Sequence, residues 1–359
     1  MFKQKGNLKA TTKNNIITYA ILAAMFIFFQ IWSATGNMSS LFKGLLVPLC
    51  IYSIMAVSLN LVVGILGDLS LGHAGFMCVG AYVGAFFSVL TEESFQQDWL
   101  RFLIAIILGG VIAGIFGFII GIPVLRLKGD YLAIVTLAFG EIIKNIVNLL
   151  YVGKDSNGLH LSLTSANDLN MEADGEILIK GALGITGTPK DSTFVISFII
   201  LVLVVIVSLN LINSRTGRAV MSIRDNRIAA QSIGINITKY KLIIFVISAF
   251  MAGIAGVLYA HNLNSLAATS KNFGYNMSIM ILVYVVLGGI GSIRGSVIAA
   301  MILYALPELL REVGDYRMLI YAILLIFMMI VNNNDKFKEF TSKIKGKLKI
   351  SNHKKGGNI

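Results

Sequence analysis

Ten stretches of this chain are apolar over roughly the 20 residues that a bilayer crossing requires. They lie near 16–34, 41–64, 69–90, 101–122, 131–152, 193–212, 241–261, 276–291, 296–312 and 317–331. Lipid offers no partner for backbone amides, so such a chain must form helices that satisfy their own N–H and C=O groups or a closed barrel, and runs this long and unalternating select helices. The eighth to tenth runs are short or continuous with one another, and nine spans result if two of them fuse. Charged residues are 13% of the 359 and apolar ones 56%, against roughly 25% charged in a soluble domain. The fold class expected is an all-α integral membrane protein.

The formal charge of +12 invites a nucleic-acid reading, but the lysines and arginines gather at the ends of apolar runs, where they orient a polytopic chain. Placing Lys3, Lys5, Lys9 and Lys13 in the cytoplasm puts Arg126 and Lys128, the 213–240 loop, Arg294 and the 332–359 tail there as well. The acidic residues Glu92, Glu93 and Asp98, and the 153–192 loop with Asp155, Asp168, Glu172, Asp174, Glu176 and Asp191, then fall outside. Ten spans satisfy this bias at each turn, with both termini cytoplasmic. The division expected is a basic N-terminus (1–15), a polytopic domain (16–331) and a lysine-rich tail (332–359) drawn to anionic membrane lipid. No small-residue cleavage site follows the first run, which reads as a retained span. Spans two to five and seven to ten would run in opposite directions, compatible with an inverted repeat.

Catalytic, metal and cofactor signatures are missing from the sequence. His73, His160, His261 and His353 are scattered, Cys50 and Cys78 lie in apolar runs without metal-type neighbours, and no nucleophile elbow or Walker A motif occurs. The run with Gly288, Gly289, Gly291 and Gly295 lacks the Gly-Lys-Ser/Thr ending of a phosphate loop and reads as a helix break between spans. Pairs four apart, Gly80/Gly84, Gly110/Gly114 and Gly117/Gly121, read as helix-packing faces.

Polar groups at membrane depth are costly and so face a bundle interior or a watery path. Asn60, Ser70 and His73 sit in the run from Ser58 to Phe76, punctuated by Gly64 and Gly72. Thr136, Glu141, Lys144, Asn145 and Asn148 form a stripe at helical spacing in the fifth span. Asn60, Ser70, His73, Thr136, Glu141 and Asn145 are the candidates to line a path. The competing readings are capping by Asp68 and Ser70 at a turn, with His73 bonded to backbone, and a structural ion pair between Glu141 and Lys144.

The 213–240 loop is too basic for lipid. Asp225 can cap a short helix that Gly234 ends, leaving Ile228, Ala229, Ala230 and Ile233 as a compact surface for a partner. A docking helix of this kind implies that something outside the membrane drives or regulates the chain.

Four segments in order, Ser58–Phe76, Arg126–Ile143, Gly217–Asn236 and Val286–Ser292, resemble the permease subunits of branched-chain amino-acid ABC importers, specifically the LivM branch. Within the third, Ala229-Ala230-x-x-x-Gly234 is similar to the Glu-Ala-Ala loop of such importers, with Ile228 at the usual glutamate position. The resemblance implies a non-enzymatic subunit of a bacterial inner or plasma membrane, without a cofactor. Its implied partners are a second permease, two ATPases and an extracytoplasmic binding protein. The ATPases would dock on Arg224, Asp225, Asn226, Arg227, Ile228, Ala229, Ala230 and Gly234. A urea, nucleoside or sugar importer of the same superfamily, and an ion-coupled secondary transporter, are the alternatives. The family's Thr-Gly-Gly element is only approximated by Lys180–Gly187.

Overall fold

A computed structural model describes residues 5–35, 38–92, 97–127, 129–156, 158–172, 175–316, 319–323, 325–326 and 330. The expected tail at 332–359 and about half of the tenth run lie outside these, as do Lys3, Glu93, Lys128 and Asp174. Among the described residues seven helices are long and apolar enough to cross a membrane. They belong to α1 (Lys5–Ala34), α2 (Ser40–Asn60, continued by a π-helical turn, Leu61–Leu66), α3 (His73–Leu90), α4 (Asp98–Val124), α5 (Asp130–Leu149), α6 (Phe194–Asn213) and α9 (Ile237–Ala260). Between α6 and α9 lie two short helices, α7 (Arg215–Asp225) and α8 (Arg227–Ser232). After α9 come α10 (Ser270–Phe273), α11 (Tyr275–Gly288) and α12 (Ile293–Leu309), each shorter than the roughly 20 residues of a bilayer crossing.

Burial ranks the helices. The span Phe42–Leu66 is 94% buried and Asp98–Val124 only 33%, so α2 is a central post and α4 a peripheral helix. Apolar character all round is what both positions require when the outer medium is lipid.

The glycines explain the close packing of α3, α4 and α9. Gly80 lies against the backbone of Gly253, Gly256 against that of Met77, and a methyl added at Gly117 would reach the Ala249 side chain at 2.6 Å. Small residues at a lipid-embedded contact let backbones approach and gain dispersion. The expected glycine pairs on α3 and α4 therefore have their counterpart on α9, in Gly253 and Gly256.

The 153–192 loop is neither bare nor helical. It supplies four strands, β1 (Tyr151–Asp155), β2 (Gly158–Ser162), β3 (Glu176–Lys180) and β4 (Ile185–Thr186), joined by β5 (Ser265–Leu266) from beyond α9. The order is β2-β1-β3-β4-β5, all antiparallel, with Val152 opposite Leu161 and Ile185 opposite Leu266. A small sheet thus accompanies the helical bundle. Short strands of mixed composition, two of them only two residues long, carry too little periodicity to stand out in sequence.

Residues from Ile302 form a second compact unit. Its described part holds the end of α12 and a 3-10 turn, Leu310–Tyr316, with an Arg311–Glu308 ion pair at 3.0 Å.

Candidate functional site

The chemistry of this chain concentrates where the basic α7–α8 segment meets the end of α2. Ser214 caps α7 by accepting from Gly217 N–H at 3.1 Å. Asn226, not Asp225, caps α8, accepting from Ala229 N–H at 3.0 Å. Asp225 is instead the last residue of α7 and pairs with Arg224 at 3.1 Å. The cap falls one residue later than the sequence suggests because Asn226 takes the extended backbone a cap needs (φ −153°, ψ 102°). Gly234 ends α8 as expected. At φ +85° it lets Ile235 N–H reach Ala230 O at 3.1 Å and its own N–H reach Gln231 O at 3.0 Å, the paired closure of a left-handed C-terminus.

This geometry divides the expected docking surface. Ile228 is 83% exposed and Ile233 75%, and Ala229 is exposed too, whereas Ala230 is 2% exposed. Ala230 packs with Ile223 and Ile237, flanked by Ile235 and Tyr240. It holds α8 against its own chain, so the surface open to a partner is Ile228, Ala229 and Ile233.

Arg224 reaches back to the membrane domain. Its Nη1 donates to Gly64 O at 2.9 Å, inside the π-helical turn. In that turn Gly67 N–H donates to Val62 O, five residues back, at 3.0 Å, a wider loop of backbone than an α-helix makes. Gly67 then turns left-handed at φ +82°. Next to it Lys241, at the start of α9, is buried and bonded to both carboxylate oxygens of Asp68, at 2.7 Å to Oδ1. Asp68 is therefore an ion-pair partner rather than a helix cap.

One turn earlier, Asn60 uses both ends of its amide. Nδ2 donates to Ser296 Oγ of α12 at 2.8 Å, and Oδ1 accepts from Gly291 N–H at 2.8 Å. The Gly288–Gly295 break lies directly on the turn. A side chain at Gly64 would strike Gly291, one at Gly288 would strike the Gly295 carbonyl, and Gly289 and Gly291 take φ of +96° and +83°.

Further into the bundle, His73 Nε2 bonds Ser58 Oγ at 2.7 Å, and Ser248 Oγ donates to Ser58 O at 2.6 Å. Thr136 Oγ1 accepts from Leu71 N–H at 3.0 Å, and Gly72 packs so tightly on the Thr136 carbonyl that no side chain fits there. Ser70 is fully buried and its hydroxyl has no partner among the described residues. Asn60, Ser70, His73 and Thr136 are thus all at or below 1% exposure. Asn60, His73 and Thr136 act as ties between helices.

Of the six path candidates, Glu141 and Asn145 of the α5 stripe reach a surface. Lys144 is ion-paired with Glu141 and also donates to Ser270 Oγ at 3.0 Å. Glu141 Oε1 accepts from Tyr275 N–H at 2.7 Å, capping α11, and Asn148 donates to Ala268 O at 3.0 Å. The stripe fastens the broken α10–α11 segment. Glu141 keeps 24% of its side chain exposed, and Asn145 is exposed on the same flank. Neither sequence reading anticipates the links from Arg224 to Gly64 or from Lys241 to Asp68. The unbalanced lysine at the head of a span is the one local sign of the second.

A family model described as "Branched-chain amino acid transport system / permease component" matches residues 41–331. The chain is 35% identical over 291 residues to the high-affinity branched-chain amino acid transport system permease protein LivM of Salmonella typhimurium, covering 78% of this chain and 66% of that protein. To LivM of Escherichia coli K12 it is 36% identical over 296 residues, with the same shares covered. To LivH of Salmonella typhimurium it is 24% identical over 288 residues, covering 78% of this chain and 89% of that protein. The match thus spans just under two thirds of the length of the LivM relatives. No solved structure matches the chain. The glycine break seated on a π-helical turn, the capped basic segment bonded to that turn and the helical bundle around them are the fold of a chain that belongs to the branched-chain amino acid transport system permease family.

Proposed function

We propose that the chain is the transmembrane permease subunit of an ATP-driven importer for branched-chain amino acids in a bacterial cell membrane, as the names of its relatives suggest. The observation that carries the mechanism is the bond from Arg224 to the Gly64 carbonyl. It ties a segment with an exposed Ile228–Ala229–Ile233 face to the end of the most buried span. ATPases docked on that face in the cytoplasm would push α7–α8. The Arg224 and Lys241 anchors would carry the push to the π-helical turn, and Asn60 would pass it to α12.

The chain itself hydrolyses nothing in this reading. A second permease packs on the flank of α5 that carries Glu141 and Asn145, where the cargo path forms. His73 stands one layer behind as a tie to Ser58. The β1–β5 sheet faces outward toward an extracytoplasmic binding protein, and both termini lie in the cytoplasm. Glu141 already serves Lys144 and Tyr275 N–H, which favours an uncharged binding surface over a proton-carrying carboxylate.

Reconstituting the chain with its second permease, ATPases and binding protein tests this. Uptake of labelled leucine should require ATP and binding protein and survive collapse of the ion gradient. Uptake driven by a proton gradient without ATP would overturn the reading.

A further inference from the structure

The two flanks of α5 differ in chemistry. Toward α11 they carry Glu141, Asn145 and Asn148, and toward α3 and α4 they border a cleft of about 480 Å³ with an entirely apolar lining. Val79 and Val83 of α3, Phe116 of α4 and Ile146 and Val147 of α5 form its walls, and Leu161 of β2 is part of its roof. Tyr82 adds only its ring, because its hydroxyl donates away to Leu266 O at 3.3 Å. We propose that this cleft is a binding site for one acyl chain of a membrane glycerophospholipid.

Three observations select that occupant. The cleft offers no charged or hydrogen-bonding group, so it cannot hold an amino acid, whose ammonium and carboxylate would be left unpaired. It also opens at the surface beside Ile146 of α5, 53% exposed, and Phe116 of α4, 38% exposed. From Phe102 to Ile122 that helix has no charged residue. The medium that meets such a face is the hydrocarbon of the bilayer.

Depth supplies the third. The α5 walls, Ile143 to Leu150, occupy about the last 10 Å of the span by helical rise. β1 begins at Tyr151, immediately beyond. The sheet therefore leaves α5 at the membrane surface, and Leu159 and Leu161 of its edge strand, 50% and 70% exposed, lie at the level of the acyl–headgroup boundary. Lys154 stands opposite Leu159 on the same face of the sheet and is exposed, which sets an ammonium at that same level. A second permease would instead be expected on the polar flank of α5.

Benzoylphenylalanine placed at Val83 in the full chain, irradiated within the assembled complex in native membranes, tests this. The expected product is a phospholipid adduct that survives exhaustive detergent washing before irradiation. A matched probe at Ile107, facing bulk lipid, should lose its adduct severalfold under the same washing. Filling the cleft with Val147→Phe should remove the Val83 adduct while leaving the Ile107 one unchanged. Crosslinking of Val83 to another polypeptide, or equal loss of both adducts on washing, would overturn the proposal. If Val147→Phe fails to accumulate, Ile146→Trp serves as the filling variant from the exposed side of the helix.

Discussion

Arg224 and Gly64 are 160 residues apart and meet through one hydrogen bond of 2.9 Å, guanidinium to carbonyl. The side chain lies so close over Gly67 that a Cβ there would come within 2.6 Å of Arg224 Cγ. The contact needs both the planar fork of an arginine and bare backbone beneath it. Arg224→Ala should insert normally and cost about 1.5–3 kcal/mol, the range for a hydrogen bond with a charged donor. It should lower transport more than ATP hydrolysis in the reconstituted complex, and Arg224→Lys should restore little. Equal loss of both activities would mean that Arg224 is not part of the linkage.

Ile228 and Ala230 are two positions apart but have opposite surroundings, one 83% exposed and the other 2%. Ile228→Glu should leave the permease folded but reduce the ATPase that co-purifies with it by tenfold or more. Ala230→Glu buries an unpaired carboxylate against Ile223 and Ile237 and should lower accumulation of the permease itself. Normal ATPase recovery with Ile228→Glu would remove α8 from the docking surface.

The α5 ion pair makes an ordered prediction. Lys144→Met strands the Glu141 carboxylate and should be the most damaging single change. Glu141→Gln keeps an acceptor for Tyr275 N–H and should be milder. The double variant should recover part of the Lys144→Met loss, because much of the cost belongs to the unpaired survivor. Thermal unfolding in detergent, run as a double-mutant cycle with a coupling of about 0.5–3 kcal/mol expected for groups in contact, measures this. Strict additivity would show that the pair is not coupled.

Orientation follows from charge. Cys50 and Cys78 are both buried, so introduced cysteines read without background. Thr164→Cys, on the sheet side, should react with an impermeant maleimide in intact cells, and Ile228→Cys should react only after permeabilisation. The reverse pattern would invert the topology.

Asn60 is a tie with two bonds, so Asn60→Leu should lower thermal stability and Ser296→Ala should do so less. Polar bonds between membrane helices are worth about 0.6 kcal/mol on average and up to ~1.7, and a melt of the purified permease resolves that range. A Ser296→Ala loss as large as that of Asn60→Leu would show that the Gly291 bond contributes nothing.

Hydropathy and capping are short-range properties, and what depends on them was legible in the chain alone. The spans of α2 to α6 and α9, the basic segment and its closure at Gly234, and the break at Gly288–Gly291 all follow from runs of neighbours and from the φ values that glycine permits. The resemblance to the permease family rested on the same segments. Tertiary structure alone decided which polar group meets which. Asn60 finds Ser296, 236 residues away, Lys241 finds Asp68, and Ala230 turns inward while Ile228 turns out. The large majority of buried polar side chains are hydrogen-bonded, but the sequence neighbourhood does not say to which partner, because helix packing brings together groups hundreds of residues apart. The sheet was hidden for a related reason, since strands of two to five residues are held by pairing across the fold rather than by their own pattern.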